Sequence, residues 1–272
     1  MIRIDMAVIA QISDFHVGRA GSAIEADAHT SEALSRAVDH INKLEPRPDA
    51  VLCTGDLVDA GSAEEYQRLR VILDRLVPPA YVIPGNHDDR DELRTAFSDH
   101  GYLPVTGFLH YVVDIGPLRI IALDTLIPGA AAGLLCADRL AWLDARLAEA
   151  PDRPTLVIQH HPPFRTGIPF MDAMSLDGME PELAILRRHP QVERVLCGHL
   201  HRSIVRRVAT TIAMTCPSTT LHVELELRAQ GGRFALVPEP PSCLLHLHAN
   251  GELVTHTSYI ESFGPARVLA SA

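Results

Sequence analysis

The stretch Ala50-Val51-Leu52-Cys53-Thr54-Gly55-Asp56 consists of four apolar residues followed by a short polar loop that ends in a carboxylate. The same arrangement, an apolar run that leads into a loop rich in Asp, His, Asn and Gly, recurs at 7–16, 80–88, 119–125, 155–163 and 192–201. Short apolar runs of this kind, with β-branched residues, are typical of strands that are buried on both faces. We therefore predict core strands that each end at a polar loop.

Helical patterns lie between these strands. Apolar residues recur at helical spacing over 30–44, 63–76 and 137–148, which predicts amphipathic helices in these segments. Strands and helices that alternate along a chain are typical of α/β proteins with mainly parallel pairing. In such folds the loops after the carboxyl ends of the strands meet at one edge, where ligands bind. We therefore expect the polar loops to lie together and to form a functional site.

Composition limits the function classes. The chain has 272 residues, 47% of them apolar, so it can form one large domain, alone or with a small appendage. Its formal charge of -10 argues against general nucleic-acid binding, which needs clustered Lys and Arg, but does not exclude a small phosphate ester. Five widely spaced cysteines, no signal peptide and no long apolar stretch favour a cytoplasmic protein without a membrane partner.

The chain beyond residue 220 follows a different pattern. The segment 221–227 is strand-like, and the prolines at 238–241 form a stiff break. The segments 243–248 and 252–260 flank Asn250-Gly251, which is typical of a β-hairpin turn. A lone hairpin is marginally stable in water, so we expect it to pack on the core or on another subunit. We divide the chain into a catalytic domain at 1–220 and a β appendage at 221–272.

The polar loops contain a set of metal-ligand residues. It comprises Asp14, His16, Asp56, Asn86, His160, His199 and His201. Residues two apart in an extended segment point the same way, so the D-x-H and H-x-H pairs can reach one centre. Nitrogen and oxygen ligands without a thiolate suit Fe, Mn, Zn, Co or Ni. The set exceeds what one tetrahedral ion needs, and it suits two ions about 3.5–4 Å apart that share a carboxylate.

The ordered motifs D-x-H, G-D, G-N-H-D, H and G-H-x-H, spread over residues 14–201, resemble those of the calcineurin-like metallophosphoesterase superfamily. The resemblance implies a four-layer α/β/β/α sandwich of two mixed sheets with a small C-terminal β appendage. It also implies that Asp14, His16 and His201 hold one ion, that Asn86, His160 and His199 hold the other, and that Asp56 bridges both. Of the neighbours His160 and His161, the family pattern takes the first. The ions would be divalent or trivalent Fe, Mn, Zn or Co.

Within this superfamily the sequence is most similar to bacterial glycerophosphodiesterases and class III cyclic nucleotide phosphodiesterases. The likeness rests on segments 85–90, 128–129, 140–143 and 160–164. The sequence lacks the Asp-Arg-Gly that follows the bridging Asp in protein Ser/Thr phosphatases. The resemblance implies hydrolysis of a small phosphodiester, such as a glycerophosphodiester or a 3',5'-cyclic nucleotide, by a hydroxide that bridges the metals. In that family the tail often packs between subunits, so we expect a homo-oligomer.

Further residues are expected to act beside the ligands. His87 is expected to contact substrate with Asn86 and to assist the leaving oxygen, and Asp88 is expected to orient His87 or a metal ligand. Thr125 resembles a hydroxyl that hydrogen-bonds the metal-binding Asn, and His222 resembles a substrate contact. His161 is expected to hold its loop, and the remaining candidates for the rim of the site are Arg165, Arg202, Tyr66, Met171 and Met174.

Two alternative functions stay open from the sequence. A phosphomonoesterase would use the same site but would need more positive charge around the phosphate, and only Arg165, Arg202 and His222 are available for this. A non-catalytic metal-binding scaffold would need neither an intact ligand set nor His87.

Overall fold

The computed structural model describes residues 6–229 and 233–265, together with 267 and 269. Its strands are β1 Met6–Ile12, β2 Ala50–Cys53, β3 Ala80–Val82, β4 Tyr111–Ile115, β5 Leu118–Ala122, β6 Gly133–Leu134, β7 Thr155–Ile158, β8 Leu176–Asp177, β9 Val192–Cys197, β10 Val205–Val208, β11 Thr211–Thr215, β12 His222–Val223, β13 Leu236–Val237, β14 Ser242–Ala249 and β15 Glu252–Tyr259. Its α-helices are α1 Ala23–Ala28, α2 Thr30–Asn42, α3 Ala63–Leu73, α4 Arg90–Ala96, α5 Ala137–Ala148, α6 Pro169–Asp172 and α7 Met179–Leu186. None of the helices in these described ranges is long and apolar enough to cross a membrane.

Two large mixed sheets form the centre of the fold. The first has five strands in the order β15-β14-β1-β2-β3, and the second has six in the order β10-β11-β9-β7-β5-β4. In the first sheet β1, β2 and β3 are parallel, β14 is antiparallel to β1, and β15 is antiparallel to β14. In the second sheet β5, β7, β9 and β11 are parallel, with antiparallel strands β4 and β10 at the edges. The expectation of two mixed sheets is confirmed.

Apolar cores lie between the successive layers of the fold. One lies between the sheets and includes Ile9 and Leu244 of the first sheet and Ile158 of the second. The second joins the outer face of the first sheet to α2, α3 and α4, and the third joins the outer face of the second sheet to α5 and α7. Because each sheet is covered by helices outside and by the other sheet inside, the arrangement is the expected α/β/β/α sandwich.

The C-terminal hairpin is an integral part of the first sheet. Its turn is the predicted one, with Asn250 and Gly251 at positive φ, and β14 pairs with β1 from Met6↔Ala249 to Gln11↔Leu244. The hairpin therefore packs on the core, which is one of the two expected outcomes. Its strands extend the first sheet. The boundary at residue 220 stays a prediction, and residues 1–5, 230–232, 266, 268 and 270–272 of the two proposed domains lie outside the described residues.

The segment 221–227 is a correction to the sequence analysis. We expected a strand along its whole length, but only His222–Val223 is a strand, paired with β13. Leu225 and Leu227 are 58% and 59% exposed, so their apolar alternation does not face a core.

Candidate metal centre

The loops after the strands of both sheets bring the predicted ligands into two adjoining groups. In the first group, ligand atoms of Asp14, His16, Asp56 and His201 all lie within 4.8 Å of one another. The Nε2 atoms of His16 and His201 are 3.1 Å apart, and His201 Nε2 lies 3.6 Å from Asp14 Oδ1. These side chains are buried or nearly so, at a position where the two sheets meet.

The second group contains Asn86, His160 and His199. Asn86 Oδ1 lies 3.1 Å from His160 Nε2 and 3.0 Å from His199 Nδ1. Asp56 connects the two groups, since its Oδ2 lies 3.3 Å from His160 Nε2 and 3.7 Å from His16 Nε2. The seven residues proposed from the sequence are therefore together, in the two sets that the resemblance implies.

Backbone carbonyls orient the histidine rings. Nδ1 of His160 donates to Thr54 O at 2.8 Å, and Nδ1 of His201 donates to Leu221 O at 2.8 Å. For His199 the ring is reversed, and Nε2 donates to Met174 O at 3.2 Å. A carbonyl oxygen can only accept, so the hydrogen of each neutral ring is on the outer nitrogen. The inner nitrogen then presents a lone pair to the centre, which is how proteins prepare histidine for a metal.

The donor set fits metal ions. Asp14 Oδ2 is buried without a hydrogen-bond partner among the described residues. The inner nitrogens of His160 and His199 face the carbonyl oxygen of Asn86 at about a hydrogen-bond distance, so in the neutral rings that bind metal, electron-pair donors point at one another. A cation between them would satisfy all of these groups, and nitrogen and oxygen ligands of this kind suit Fe, Mn, Zn or Co.

Most of these ligands lie on left-handed backbone. The φ angles are 55° for Asp14, 48° for His16, 48° for Asp56, 70° for His199 and 51° for His201. The sequence analysis expected extended segments that direct residues two apart to one side, and this local geometry is wrong. Tight loop turns aim the side chains instead. Such backbone costs on the order of 1–3 kcal/mol per residue, and surrounding contacts must hold it.

Close packing at glycines holds these loops. A Cβ on Gly85 would lie 2.3 Å from both the backbone nitrogen and Oδ1 of Asp56. A Cβ on Gly198 would lie 2.2 Å from Ser13 Oγ and 2.6 Å from Thr54 O. Contacts under 3.0 Å do not occur for real Cβ atoms, so both motif glycines are needed for the approach of the loops.

The electrostatics of the site favour positive charge at its centre. Burial alone would lower the pKa of His160, but the nearby carboxylates of Asp56 and Asp14 outweigh it and raise this pKa to about 9. Without a metal the ring therefore holds a proton on its inner nitrogen at neutral pH, and a bound ion would replace that proton. Burial would raise the pKa of Asp56, but His160 and His16 bring it well below its usual range. Burial and the charge of His160 lower the pKa of His199 to about 3, which keeps that ring neutral.

His87 lies beside the first group, although it directly follows Asn86 of the second group in the sequence. Its ring contacts His16 edge-on, with centroids 4.6 Å apart. Nδ1 donates to the Asp59 carbonyl at 2.7 Å, and the backbone N–H donates to Asp56 Oδ1 at 2.9 Å. The side chain is 41% exposed, so it can meet a ligand that enters the site.

The sequence analysis missed Asp59. Its Oδ1 lies 3.8 Å from His16 Nδ1 and 4.0 Å from His87 Nδ1. The signal was its position three residues after Asp56, in the same polar loop.

Two expected roles are wrong, and a third is wrong in one of its two alternatives. The Asp88 carboxylate does not bond His87; it accepts from the Tyr66 hydroxyl and from the backbone N–H groups of Leu57 and Gly85, which are the neighbours of Asp56 and Asn86, and its role in orienting a metal ligand stays a prediction. Tyr66 is only 1% exposed and therefore does not line a substrate cap. Thr125 Oγ1 pairs with His161 Nδ1 at 2.8 Å instead of with Asn86.

His161 is held by its loop, as expected. Its Nε2 donates to Ala131 O at 3.1 Å, and Nδ1 accepts from Thr125. Although the ring lies close enough to His160 and His199 to count as a third ligand, both of its nitrogens are already engaged. The choice of His160 over its neighbour stays a prediction, which the engaged nitrogens of His161 support.

The remaining candidates lie around the centre. Arg165 donates to Asp172 O, while Arg202 donates to Val223 O and Glu239 Oε1. Met171 is buried against Leu200. Met174 contributes its carbonyl to His199. His222 is 3% exposed and follows Leu221, the residue whose carbonyl orients His201; its contact with substrate stays a prediction.

A cavity of about 700 Å³ opens beside Asn86, His87 and Asp59. Its wall includes two arginines that are already paired, Arg90 with Asp124 and Arg94 with Asp91. Asp89, which also lines it, caps α4 by accepting from the N–H groups of Asp91 and Glu92. The cap fixes the start of α4 directly after the Asn86 loop.

The comparisons with known proteins agree with this geometry. Residues 7–203 match the family model of the calcineurin-like phosphoesterases, and the chain belongs to that family. The family uses a binuclear metal centre, and the Asp14, His16, Asp56 and His201 cluster is a candidate part of it.

Among its relatives, a probable glycerophosphodiester phosphodiesterase of Arcobacter nitrofigilis is 38% identical over 261 residues, which cover 95% of each chain. A 3',5'-cyclic adenosine monophosphate phosphodiesterase of Pseudomonas aeruginosa is 30% identical over 261 residues, covering 93% of this chain and 90% of the relative. The fold is also that of a dimetal phosphatase from Danio rerio, with a TM-score of 0.61 at 15% identity over 92% of this chain and 98% of that one.

Proposed function

We propose that this protein is a metal-dependent phosphodiesterase that hydrolyses small phosphodiesters of the glycerophosphodiester or 3',5'-cyclic nucleotide type. The observation that carries the proposal is the position of Asp56, whose Oδ2 faces ligand groups on both sides. Relatives named as phosphodiesterases of both types support the same reaction class.

We assign the residues to two ions as the sequence motifs suggest. Asp14, His16 and His201 would hold the first ion, Asn86, His160 and His199 the second, and Asp56 both. When bound, such ions lower the pKa of a coordinated water and neutralise the charge of the phosphate. The native ions would be drawn from Fe, Mn, Zn and Co.

The protein side chains then perform binding and proton transfer. Asn86 and His87 lie at the mouth of the cavity, where they can contact the phosphate. His87 donates through Nδ1 to the Asp59 carbonyl, which holds the ring beside His16. In its protonated form it can give the Nε2 hydrogen to the departing alkoxide, as a general acid.

A phosphomonoesterase is the second candidate, and the charges argue against it. A monoester carries one more negative charge than a diester. Arg165 and Arg202 are bonded to other protein groups, and the cavity arginines Arg90 and Arg94 are paired with carboxylates. Asp59 adds a negative charge beside His87. The protein would therefore offer little electrostatic stabilisation to the extra negative charge of a dianionic substrate.

A non-catalytic scaffold is the other alternative. It has no need of an exposed His87 beside a buried ligand set, nor of a cavity at that position. The present arrangement has both.

The test compares two substrates that share a leaving group. Hydrolysis of bis(p-nitrophenyl) phosphate and of p-nitrophenyl phosphate is measured with Mn²⁺ and with a chelator. We expect kcat/KM to be higher for the diester and activity to disappear on chelation. A preference for the monoester would favour the phosphomonoesterase, and no turnover of either ester by metal-loaded protein would favour the scaffold.

We also propose a cytoplasmic homo-oligomer. Five free cysteines, four of them buried, suit a reducing compartment. Leu225 and Leu227 of the tail are more than half exposed, and exposed apolar clusters often mark protein interfaces. A monomer by light scattering at micromolar concentration would contradict the oligomer.

A further inference from the structure

A buried glutamine connects the two sheets directly behind the metal ligands. Gln11 of β1 is 0% exposed. Its Nε2 donates to Thr54 Oγ1 at 3.0 Å, directly after β2 of the first sheet, and to Cys197 O at 3.0 Å, at the end of β9 in the second. Thr54 precedes Gly55-Asp56, and Cys197 precedes Gly198-His199. One amide group therefore holds together the starting points of two ligand loops that belong to different sheets.

The orientation of this amide is determined by its neighbours. The Cys197 carbonyl can only accept, so the NH₂ group of Gln11 must face it, and Oε1 points the other way. Oε1 accepts from His246 Nε2 of the C-terminal hairpin at 3.2 Å, and His246 Nδ1 accepts from the Thr255 hydroxyl at 2.9 Å. Burial lowers the pKa of His246 to about 3, so the ring is neutral and has one donor and one acceptor. Each of these polar groups has a partner of the required type.

These contacts leave the Asp56 loop and the His199 loop little freedom to move relative to each other. Thr54 O also accepts from His160 Nδ1, and Gly198 approaches this same oxygen so closely that a Cβ would lie 2.6 Å from it. In the proposed assignment each ion takes ligands from loops of both sheets. The separation of the sheets at Gln11 thus sets the distance between the ligands of each ion.

We propose that Gln11 is a positioning residue for the metal pair and that His246 holds its amide in the required orientation. The inference rests on the proposed function, because it assumes two ions bound across the sheets. The C-terminal hairpin would then contribute to metal binding through Gln11 rather than through a direct contact with a ligand.

The experiment compares three variants of the full chain. Gln11→Met keeps the length of the side chain and removes both donors and the acceptor. His246→Phe leaves Gln11 in place and removes the group that orients it. His248→Leu is the matched control, because His248 lies on the same face of β14, is 3% exposed, and has no hydrogen-bond partner for its ring among the described residues. Mn²⁺ binding is measured by calorimetry, Mn–Mn coupling by electron paramagnetic resonance, and unfolding of the metal-free protein by heating.

We expect Gln11→Met to weaken Mn²⁺ binding by roughly 10–100-fold and to alter the coupled signal, since groups behind metal ligands typically contribute this much to affinity. His246→Phe should weaken binding by less, and His248→Leu should bind as the wild type does. If Gln11 and His246 have a purely structural role, the metal-free variants should unfold at a lower temperature while their Mn²⁺ affinity and Mn–Mn coupling stay unchanged. That result would overturn the proposal.

If Gln11→Met fails to fold, His246→Phe decides, and wild-type affinity and coupling in that variant would refute the positioning role. Failure of the proposed function itself looks different. In that case the wild type would bind no Mn²⁺ pair and would not hydrolyse bis(p-nitrophenyl) phosphate, whatever the variants do.

Discussion

Glu182 is a buried carboxyl group whose protonation should make the stability of the protein depend on pH. It lies on α7, is 0% exposed, and its Oε2 accepts from Gln159 Nε2 at 3.2 Å. In the described part of the chain, Oε1 of Glu182 and Oε1 of Gln159 are both buried without a partner. Both are acceptors when Glu182 is ionised, whereas a proton on Glu182 supplies the donor that this pair lacks.

The direction of the effect follows from the pKa. Burial raises the pKa of Glu182 from 4.5 to about 8 in the folded protein. Below pH 4.5 the carboxyl is neutral in both states, and its contribution to stability is fully present. As the pH rises to 8 the unfolded chain ionises first, so this contribution is lost. With 1.36 kcal/mol per pKa unit, the loss between pH 5 and pH 8 is on the order of 3 kcal/mol.

The variant Glu182→Gln isolates this effect. Its amide oxygen can still accept from Gln159 Nε2, and its side chain does not titrate. We expect the free energy of unfolding of the metal-free wild type to fall relative to that of Glu182→Gln between pH 5 and pH 8. Urea denaturation across this range measures the difference, and the histidines of the site cancel because both proteins contain them. Parallel stability profiles would refute the reasoning.

The remaining predictions concern the metal centre. His87→Ala should keep fold and metal but lose roughly 10²–10⁴-fold in kcat on a diester with a poor leaving group, and far less on bis(p-nitrophenyl) phosphate; equal losses on both would exclude proton donation by His87. Asp56→Ala should retain less metal than Asn86→Ala, because Asp56 Oδ2 faces both groups, and equal metal content by elemental analysis would count against a shared ligand. Gly85→Ala should also lose metal, since its Cβ would lie 2.3 Å from Asp56 Oδ1; wild-type metal content in that variant would show that the loop can adjust.

The elements that could be predicted from the sequence are those with a strong local signal. The apolar run 50–53 and the helix 137–148 agree with the structure in their bounds, and β7 and β9 begin where the predicted segments 155–163 and 192–201 begin. The pairing of the C-terminal hairpin with β1 could not be predicted, because it joins segments more than 200 residues apart and depends on tertiary packing. The prediction of a strand at 221–227 was wrong, because only His222–Val223 pairs with another strand and the alternating apolar residues after it do not.

The ligands of the site could be predicted, but their geometry could not. Motif order identified the residues, whereas the left-handed backbone at Asp14 and His199 depends on contacts from other loops. The role of Thr125 was wrong because hydrogen-bond partners across strands are not encoded locally. Gln11 had a signal that went unused, since a glutamine within an otherwise apolar strand indicates a buried polar contact.

The central claim is that two ions, held by two groups of ligands that share Asp56, carry the hydrolysis of a phosphodiester. The most direct measurement is a titration of chelator-treated protein with Mn²⁺ while the hydrolysis of bis(p-nitrophenyl) phosphate is followed. The proposed centre predicts no activity without metal and a plateau at about two Mn²⁺ per chain. A plateau at one Mn²⁺ per chain, or full activity in the metal-free protein, would contradict it.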